Sequence, residues 1–440
     1  MADLDNGIHK IDLLEVAAMP ENRLSIAIVG SGVAGLTAAY ILNKNHAITL
    51  YEKNDYIGGH THTVVVNRDP DINVPVDTGF IVMNHRTYPL FTRLLEQLGV
   101  PLRDSNMSFG YNCELSGIQY SSAGITSFFN KIKHIFNPAY YRIFSDMLKF
   151  YRIGKADLQQ DALKDRTLGQ YLNDNGFSKD FIDHNIIPMG SAVWSTPTDT
   201  MLDFPAATFI RFLNNHGLLS LTEAPQWRTV VGGSHAYVKK ILASLSGNAL
   251  TNKPVKAVKR NDKGVVITTE DGSTAEYDRV IIAAHADEAF KILADPSAGE
   301  KRLLGPWQYN YNRTVLHTDE SVMPQNKRVW ASWNFNREKT GAGSSLCLTY
   351  YMNRLQGLET NHQYFVTLNS SKKLDKNKII LEMDYYHPQY TTESTATQKE
   401  LPGLNGVRNT YFCGSYFGYG FHEDAVRSAI DVVKLFGMEL

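Results

Sequence analysis

The chain is poor in cysteine. Its 440 residues hold Cys113, Cys347 and Cys413, with no CxxC pair, which excludes a zinc knuckle or a dithiol redox motif and fits a reducing compartment. No apolar run approaches the ~20 residues needed to span a bilayer. Met1 to Asn22 is polar and acidic, without the charged start and apolar centre of a secretory leader. Excess charge is also missing: the formal net charge is −1, so nothing global points to nucleic acid. These absences lead to the expectation of a cytoplasmic protein, with attachment to the inner face of a membrane left open. The 43% hydrophobic and 20% charged residues are ordinary for a folded chain, and the length suggests two or three domains. There is no internal repeat or low-complexity tract.

The clearest signal is local. Leu24 to Val29 reads as a short buried strand, 33–44 as a helix and Ala47 to Glu52 as a second strand. Between the first strand and the helix lies Gly30-x-Gly32-x-x-Gly35. A GxGxxG in this context is a dinucleotide turn. Gly30 permits the tight turn, Gly32 lets backbone approach a pyrophosphate, and Gly35 lets the helix pack close. The helix start, Val33 and Ala34, offers N–H groups to phosphate. Glu52, with Lys53 after it, stands 22 residues past Gly30, the place of a carboxylate that accepts from ribose hydroxyls. Three features favour FAD over NAD. The unit is N-terminal and runs into Gly58-Gly59; a late strand carries Val255 as an adenine-side candidate; and a final strand ends in Gly414 before a helix over 423–436. Cys413 sits in that strand as a small buried residue, so the FAD is expected to be non-covalent.

Further along, 253–282 alternates as a hairpin and a buried strand, and 305–400 holds aromatic strands. The middle, 115–225, is aromatic and helical with breaks at Pro138, Pro188, Pro197 and Pro205. These pieces together resemble the flavin-dependent amine oxidase and carotenoid desaturase superfamily. That superfamily's first motif runs on to a GG-Arg element; here it is Gly58-Gly59-His60, with histidine where arginine is usual. A closer likeness is to a subgroup of predicted NAD/FAD-binding proteins found beside cyclopropane-fatty-acid-synthase-like methyltransferases. It is carried by Gly58 to Thr63, Val76 to Val82, Ile187 to Ser195, Pro225 to Ser234 and Gly418 to Asp424. The resemblance implies chemistry on an unsaturated fatty acyl chain, by dehydrogenation or double-bond isomerisation, and a functional link to a lipid methyltransferase. It also implies that Gly414 and the Phe421, His422 and Ala425 turn contact FAD. Gly59 and His60 would then lie near its pyrophosphate or flavin, and Trp227, Arg228 and Gly232-Gly233 where the chain re-enters the flavin site.

The expected class is α/β: a Rossmann-type, amine-oxidase-like FAD-binding domain (23–114, 226–300, 405–440) interleaved with an α+β substrate domain, helical over 115–225 and sheet over 301–404. The flavin takes the hydride, and the protein must place the C–H bond and, where a second proton leaves, supply a base. His60, His62, His85 and His422 are the candidates for proton transfer, or they only bond backbone, phosphate or ribose. Tyr416, Phe417 and Tyr419 wall a pocket over the flavin or are ordinary core. Arg228 pairs with a substrate carboxylate or the flavin edge, or closes an inter-domain ion pair; Arg86 and Arg427 share this ambiguity. No metal site is indicated. The segment from Lys131 to Lys155 carries six Lys/Arg against Asp146, with Tyr140, Phe144, Met147 and Tyr151 at helical spacing. That face lies on anionic lipid or packs on the core with a solvated basic back. Alternatives to the acyl reading are an amine oxidase for a small soluble amine and a non-catalytic flavoprotein partner of a methyltransferase.

Overall fold

Five short apolar strands build a parallel sheet in the order Thr410–Phe412, Arg279–Ile282, Ser25–Val29, Ala47–Tyr51, Asn248–Leu250. Both faces are covered, which is why these strands read as apolar runs rather than alternating ones. Ile26 and Ile28 point to one core with Leu36, Val426 and Ala429; Ala27 and Val29 point to the other with Val258, Ile267 and Ile282. The computed structural model describes residues 23–122, 124–160, 162–163, 166–194, 198–220, 225–340 and 343–440. The leader reading of Met1 to Asn22, the motif residue Ser195 and the break at Pro197 lie outside the described residues.

The helices Val33–Leu42 and His422–Lys434 pack against each other on one face of this sheet. On the other face sits the antiparallel ribbon Val255–Asn261, Gly264–Thr269, Thr274–Tyr277. A second sheet of seven strands runs in the order Ile379–Pro388, Tyr309–His317, Phe365–Leu368, Gly343–Tyr351, Trp333–Thr340, Phe109–Cys113, Gln119–Ser121. Its last three-residue strand and the preceding Phe109–Cys113 change the expected boundary at 114. Phe109–Cys113 pairs in parallel with Trp333–Arg337, so the substrate sheet begins before residue 115. Its alternating pattern is too short to be assigned to a partner 224 residues away.

The helical region is pinned to that sheet at Pro188. Proline has no N–H to give the His184 carbonyl. The helical path widens by one residue over Ile182–Ile186, and the His184 carbonyl accepts from the Tyr120 hydroxyl at 2.7 Å instead. The Tyr111 hydroxyl meets His184 Nδ1 at 2.9 Å, and Asn185 Nδ2 donates to Tyr120 at 3.0 Å. The long helix Pro138–Gln159 starts where Pro138 was expected to start it, with the Asn137 side chain accepting from the Ala139 N–H. Tyr140, Ile143 and Phe150 on it are buried. No helix among the described residues is long and apolar enough to cross a membrane.

One buried charge cluster supports the ribbon. Arg260 is almost solvent-free and bonds Asp295 at 2.6 Å and Glu300 at 2.9 and 3.0 Å. Removing one member of such a buried pair strands the others. Arg260→Ala is expected to cost about 3–5 kcal/mol, read as a lowered urea midpoint. Arg302→Ala, at the exposed Arg302–Glu400 pair, is expected to leave the midpoint unchanged.

Candidate functional site

The glycine turn is shaped by close backbone approach. A Cβ on Gly35 would stand 2.0 Å from the Gly30 carbonyl oxygen, and one on Gly30, at φ +102, would meet the Ala283 carbonyl at 2.7 Å. Gly32 differs: a Cβ there would meet nothing within 4 Å, because it faces a cavity of about 1540 Å³. Val33 and Ala34 line the same cavity, and Gly32 starts their helix with no side-chain cap. The first-turn N–H groups thus look into the cavity as free donors for an anion. The start of the second helix, at Phe421, His422 and Ala425, lines it too.

Glu52 directly follows the second strand, buried and cavity-lining. One carboxylate oxygen accepts from the Ser31 N–H at 3.2 Å and the Ser31 hydroxyl at 2.5 Å; the other accepts from the Asn54 N–H at 2.9 Å. A carboxylate has about four acceptor positions, so capacity is left for a ribose hydroxyl. Lys53 lines the wall and is held to Glu288 at 2.5 Å. Gly58, Gly59, His60, Val255 and Gly414 also line the cavity. Gly35 does not; its part is the close packing that fixes the turn.

The sequence phrases around His60 form a clasp. The Phe80 N–H donates to the His60 carbonyl at 2.8 Å and the Thr78 N–H to the His62 carbonyl at 2.9 Å. Gly79 has no room for a Cβ, which would lie 2.2 Å from that His60 oxygen. Buried Asp77 accepts from the Thr63 hydroxyl, from the N–H and hydroxyl of Ser234, and from Gln356 Nε2 at 3.0 Å. Burial raises its carboxyl to about 6 against those bonds. Glu423 accepts the N–H groups of Leu90 and Phe91, capping the helix Pro89–Gln97 from outside it. Asp424 takes the N–H groups of Tyr419 and Phe421.

The proposed catalytic residues divide. His60 lines the cavity beside Tyr385 (ring centroids 4.9 Å), His387 (5.3 Å) and His285 (6.2 Å). Its Nε2 is sealed from solvent with no hydrogen-bond partner. Burial first, then the neighbouring His387 and His285, hold its pKa well below 6.5. Tyr416 lines the cavity with its hydroxyl buried and unpartnered. His422 lines it, stacked on Phe80 at 3.6 Å, with Nε2 3.1 Å from the Thr61 hydroxyl. His62 does not line the cavity; it stacks on Tyr56 at 4.2 Å and meets the Tyr385 hydroxyl at 3.2 Å. Arg228 does not line it either. It pairs with Asp104 at 3.4 Å across the Leu102–Ser105 and Trp227–Val230 strand pair, so a substrate-carboxylate role is corrected to an ion pair. Of the aromatics, Tyr416 and Tyr419 line the cavity. Among the basic residues with the same ambiguity, Arg427 reaches Glu423 and Asp424 at 3.4 and 3.5 Å.

Sequence reading missed His285, Tyr309, Tyr385 and His387. His285 follows Ala284 at the carboxyl end of a parallel strand, where open α/β sheets bind ligands, and that position was a usable signal. His387 and Tyr385 come from an antiparallel strand with no such mark. Tyr309 stacks on His285 at 4.3 Å, and its hydroxyl accepts the Ala286 N–H.

A family model for flavin containing amine oxidoreductases matches residues 33–361. The chain belongs to that family. Among curated relatives, amine oxidase A of Canis lupus familiaris is 22% identical over 66% of this chain and 54% of its own length, and the L-amino-acid oxidase of Mus musculus is 27% identical over 66% and 47%. The chain spans about half to three fifths of the length of the curated relatives it matches. Among solved structures, a CLA-producing fatty acid isomerase from P. acnes superposes with TM-score 0.67 at 17% identity, covering 94% of this chain and 98% of that one. Putrescine oxidase bound to putrescine superposes with TM-score 0.68 at 15% identity, covering 95% and 100%. This family member takes FAD as its cofactor, and the cleft fits it. Two uncapped or cavity-facing helix starts suit the pyrophosphate and Glu52 suits the ribose. No cysteine lines the cavity, and burial pushes the Cys413 thiol up to about 12, which fits non-covalent binding.

Two predictions follow from this geometry. Gly32→Val places a side chain in the open pyrophosphate position, and the purified variant is expected to lose its flavin absorbance while keeping its far-ultraviolet circular dichroism. The second concerns acid. Burial lowers His216, His317 and His387 to about 4 and His422 to about 3. The unfolded chain protonates these near 6.5, the folded one only far lower. Their stability is therefore complete above pH 6.5 and lost as pH falls toward 4, by up to about 1.4 kcal/mol per unit per group. Asp77 and Asp424, raised to about 6, act oppositely between pH 6 and 4 but are fewer. The thermal midpoint is expected to fall steadily from pH 7 to 4.5, with a shallower slope in His387→Asn.

Proposed function

We propose that this protein is an FAD-dependent oxidoreductase acting on an unsaturated fatty acyl chain, by dehydrogenation or double-bond isomerisation. The observation that carries the reading is the far end of the cavity. Beyond the dinucleotide elements it is walled by Met107, Phe109, Tyr120, Phe128, Phe144, Met147, Tyr151, Met189, Val193, Trp333 and Tyr350. Among the described residues, no Asp or Glu of 105–151 or 185–227 lines this wall. A volume of about 1540 Å³ exceeds the ~300–1,000 Å³ of ordinary ligand pockets, so the cleft has room for a dinucleotide and a long apolar substrate together. The fold is shared with a fatty acid isomerase, which is consistent with this choice.

When bound, FAD supplies hydride acceptance and return at its N5. The chain's own groups do the rest. The helix starts at Gly32 and Phe421 hold the phosphates, and Glu52 orients the ribose. The apolar far wall excludes water and extends the acyl chain toward the histidine cluster. His60, neutral at pH 7 with Nε2 unpartnered, is the group able to accept a proton at that atom. His422, engaged with Thr61 and Tyr237, holds position.

A second reading, oxidation of a small amine, is favoured by the curated amine-oxidase relatives and by an aromatic enclosure of His60, Tyr309, Tyr385 and Tyr416. The two part in one experiment. Anaerobic mixing with C18 unsaturated fatty acids is expected to bleach the flavin or to yield a shifted double bond by mass spectrometry, and common amines are expected to do neither. Met147→Trp, which fills the far wall, is expected to lower acyl turnover about tenfold or more and leave bound flavin unchanged. Reduction by amines alone would overturn the acyl reading.

A further inference from the structure

The wall that closes the far end of the cavity has an outer side, and that side is apolar and basic. In the helix Pro138–Gln159, Tyr140, Phe144, Met147 and Tyr151 were expected to share a face; they turn inward, Tyr140 buried and the other three lining the cavity. The lipid-facing alternative for that face is therefore corrected. The exposed apolar groups are others. Ile132 is 78% exposed and Phe136 80%, with Ile135, Tyr141 and Leu148 exposed as well. They are neighbours: the Tyr141 hydroxyl donates to the Ile135 carbonyl at 2.8 Å, and Tyr141 and Leu148 are two helical turns apart on one side. Such a cluster on a surface marks a docking site.

Its charge says for what. Lys131, Lys133 and Arg328 are exposed and make no ion pair among the described residues. Arg328 belongs to a turn tied to this segment by Asn326 Nδ2 donating to Asn130 Oδ1 at 3.0 Å. The nearby acids are engaged elsewhere: Asp146 accepts the Ser178 N–H, and Asp180 holds Arg142. The result is bulky apolar tips beside cations, with no exposed free carboxylate next to them among the described residues. We propose that this face docks on an anionic lipid bilayer, Ile132 and Phe136 entering the acyl boundary while Lys131, Lys133 and Arg328 meet phosphate headgroups. The same segment presents Phe128 and Phe144 to the cavity behind it. A chain leaving the bilayer would cross only this wall, a continuity that rests on the acyl reading above.

The test uses the flavin-loaded full-length protein and sedimentation with vesicles, without turnover, so that docking and substrate chemistry fail separately. Vesicles of equal phosphatidylglycerol and phosphatidylcholine are expected to bind the protein, and pure phosphatidylcholine to bind it far less. Binding is expected to fall about tenfold or more as salt is raised from about 0.05 to 0.5 M. Lys131→Gln with Lys133→Gln is expected to weaken it about twentyfold, and Ile132→Ser with Phe136→Ser at least tenfold, each keeping the flavin spectrum. These side chains are solvent-exposed, so folding is not at stake. No vesicle binding, equal binding to neutral vesicles, or variants that bind like the parent would overturn the proposal. So would a doubled mass in solution that Phe136→Ser returns to single, which would make a second copy the occupant.

Discussion

The architecture depends on one close approach. At the carboxyl end of the Ser25–Val29 strand, the Gly30 backbone passes under both the Ala283 carbonyl of the neighbouring strand and the start of the first helix, where Gly35 sits with no space for a Cβ. Steric exclusion sets how close the backbones come, and the bonds from the Gly30 N–H to the Tyr51 carbonyl and from the Ala283 N–H to the Val29 carbonyl hold them there. This geometry brings the helix Val33–Leu42 near enough to the sheet that its first N–H groups have no protein partner and face the cavity. The strand edge beyond it must then be left open, and the next strand must end in a group that shares the opening. Glu52 is that group, held in place by Ser31 from within the turn itself.

From that point the rest of the site is assembled by buried polar clasps on distant segments. Asp77 binds Thr63, Ser234 and Gln356, so three stretches of chain, the farthest 279 residues from it in sequence, meet at one carboxylate. Its cost is visible in the raised pKa; several hydrogen bonds only partly offset desolvation. The return is positional. His60 is fixed by backbone bonds to Phe80, and Glu423 ties the second cofactor-facing helix to the helix Pro89–Gln97. Motif phrases that look catalytic in sequence, Val76 to Phe80 and Gly232 to Ser234, thus act mainly by holding His60 and the cleft in register.

The nucleotide half was legible because its requirements are local. A tight turn, a helix start and a strand end fall within 30 residues, so Gly30, Gly32, Gly35 and Glu52 could be assigned without the fold. Val255 and Gly414 were reachable because valine and glycine at the ends of strands carry positional meaning, and Phe421 only through the family resemblance. The substrate half was not legible in this way. Phe109–Cys113 joins a sheet whose other members lie past residue 300, and His387 enters the cavity only because Ile379–Pro388 pairs along Tyr309–His317. Arg228 misled for a related reason: it lies next to the cavity-lining Trp227 on a strand, and adjacent strand residues point to opposite faces. The face opposite Trp227 belongs to Asp104.

The histidines sharpen the choice of chemistry. His60, His285 and His387 crowd one region in which burial disfavours every imidazolium, with repulsion from neighbouring rings adding to it at His60 and His387. A protonated amine arriving there would meet uncharged rings, and the two carboxylates lining the cavity nearby are already engaged, Glu288 by Lys53 and Asp384 by the Tyr311 hydroxyl. It would have to shed its proton and its hydration first. An alkene chain has neither to lose, and its transfer from water into such a wall is favourable by about 0.8 kcal/mol for each methylene. The same neutrality suits the uncharged alkene segment of the reading proposed above, and within it the Nε2 of His60 is left without a hydrogen-bond partner.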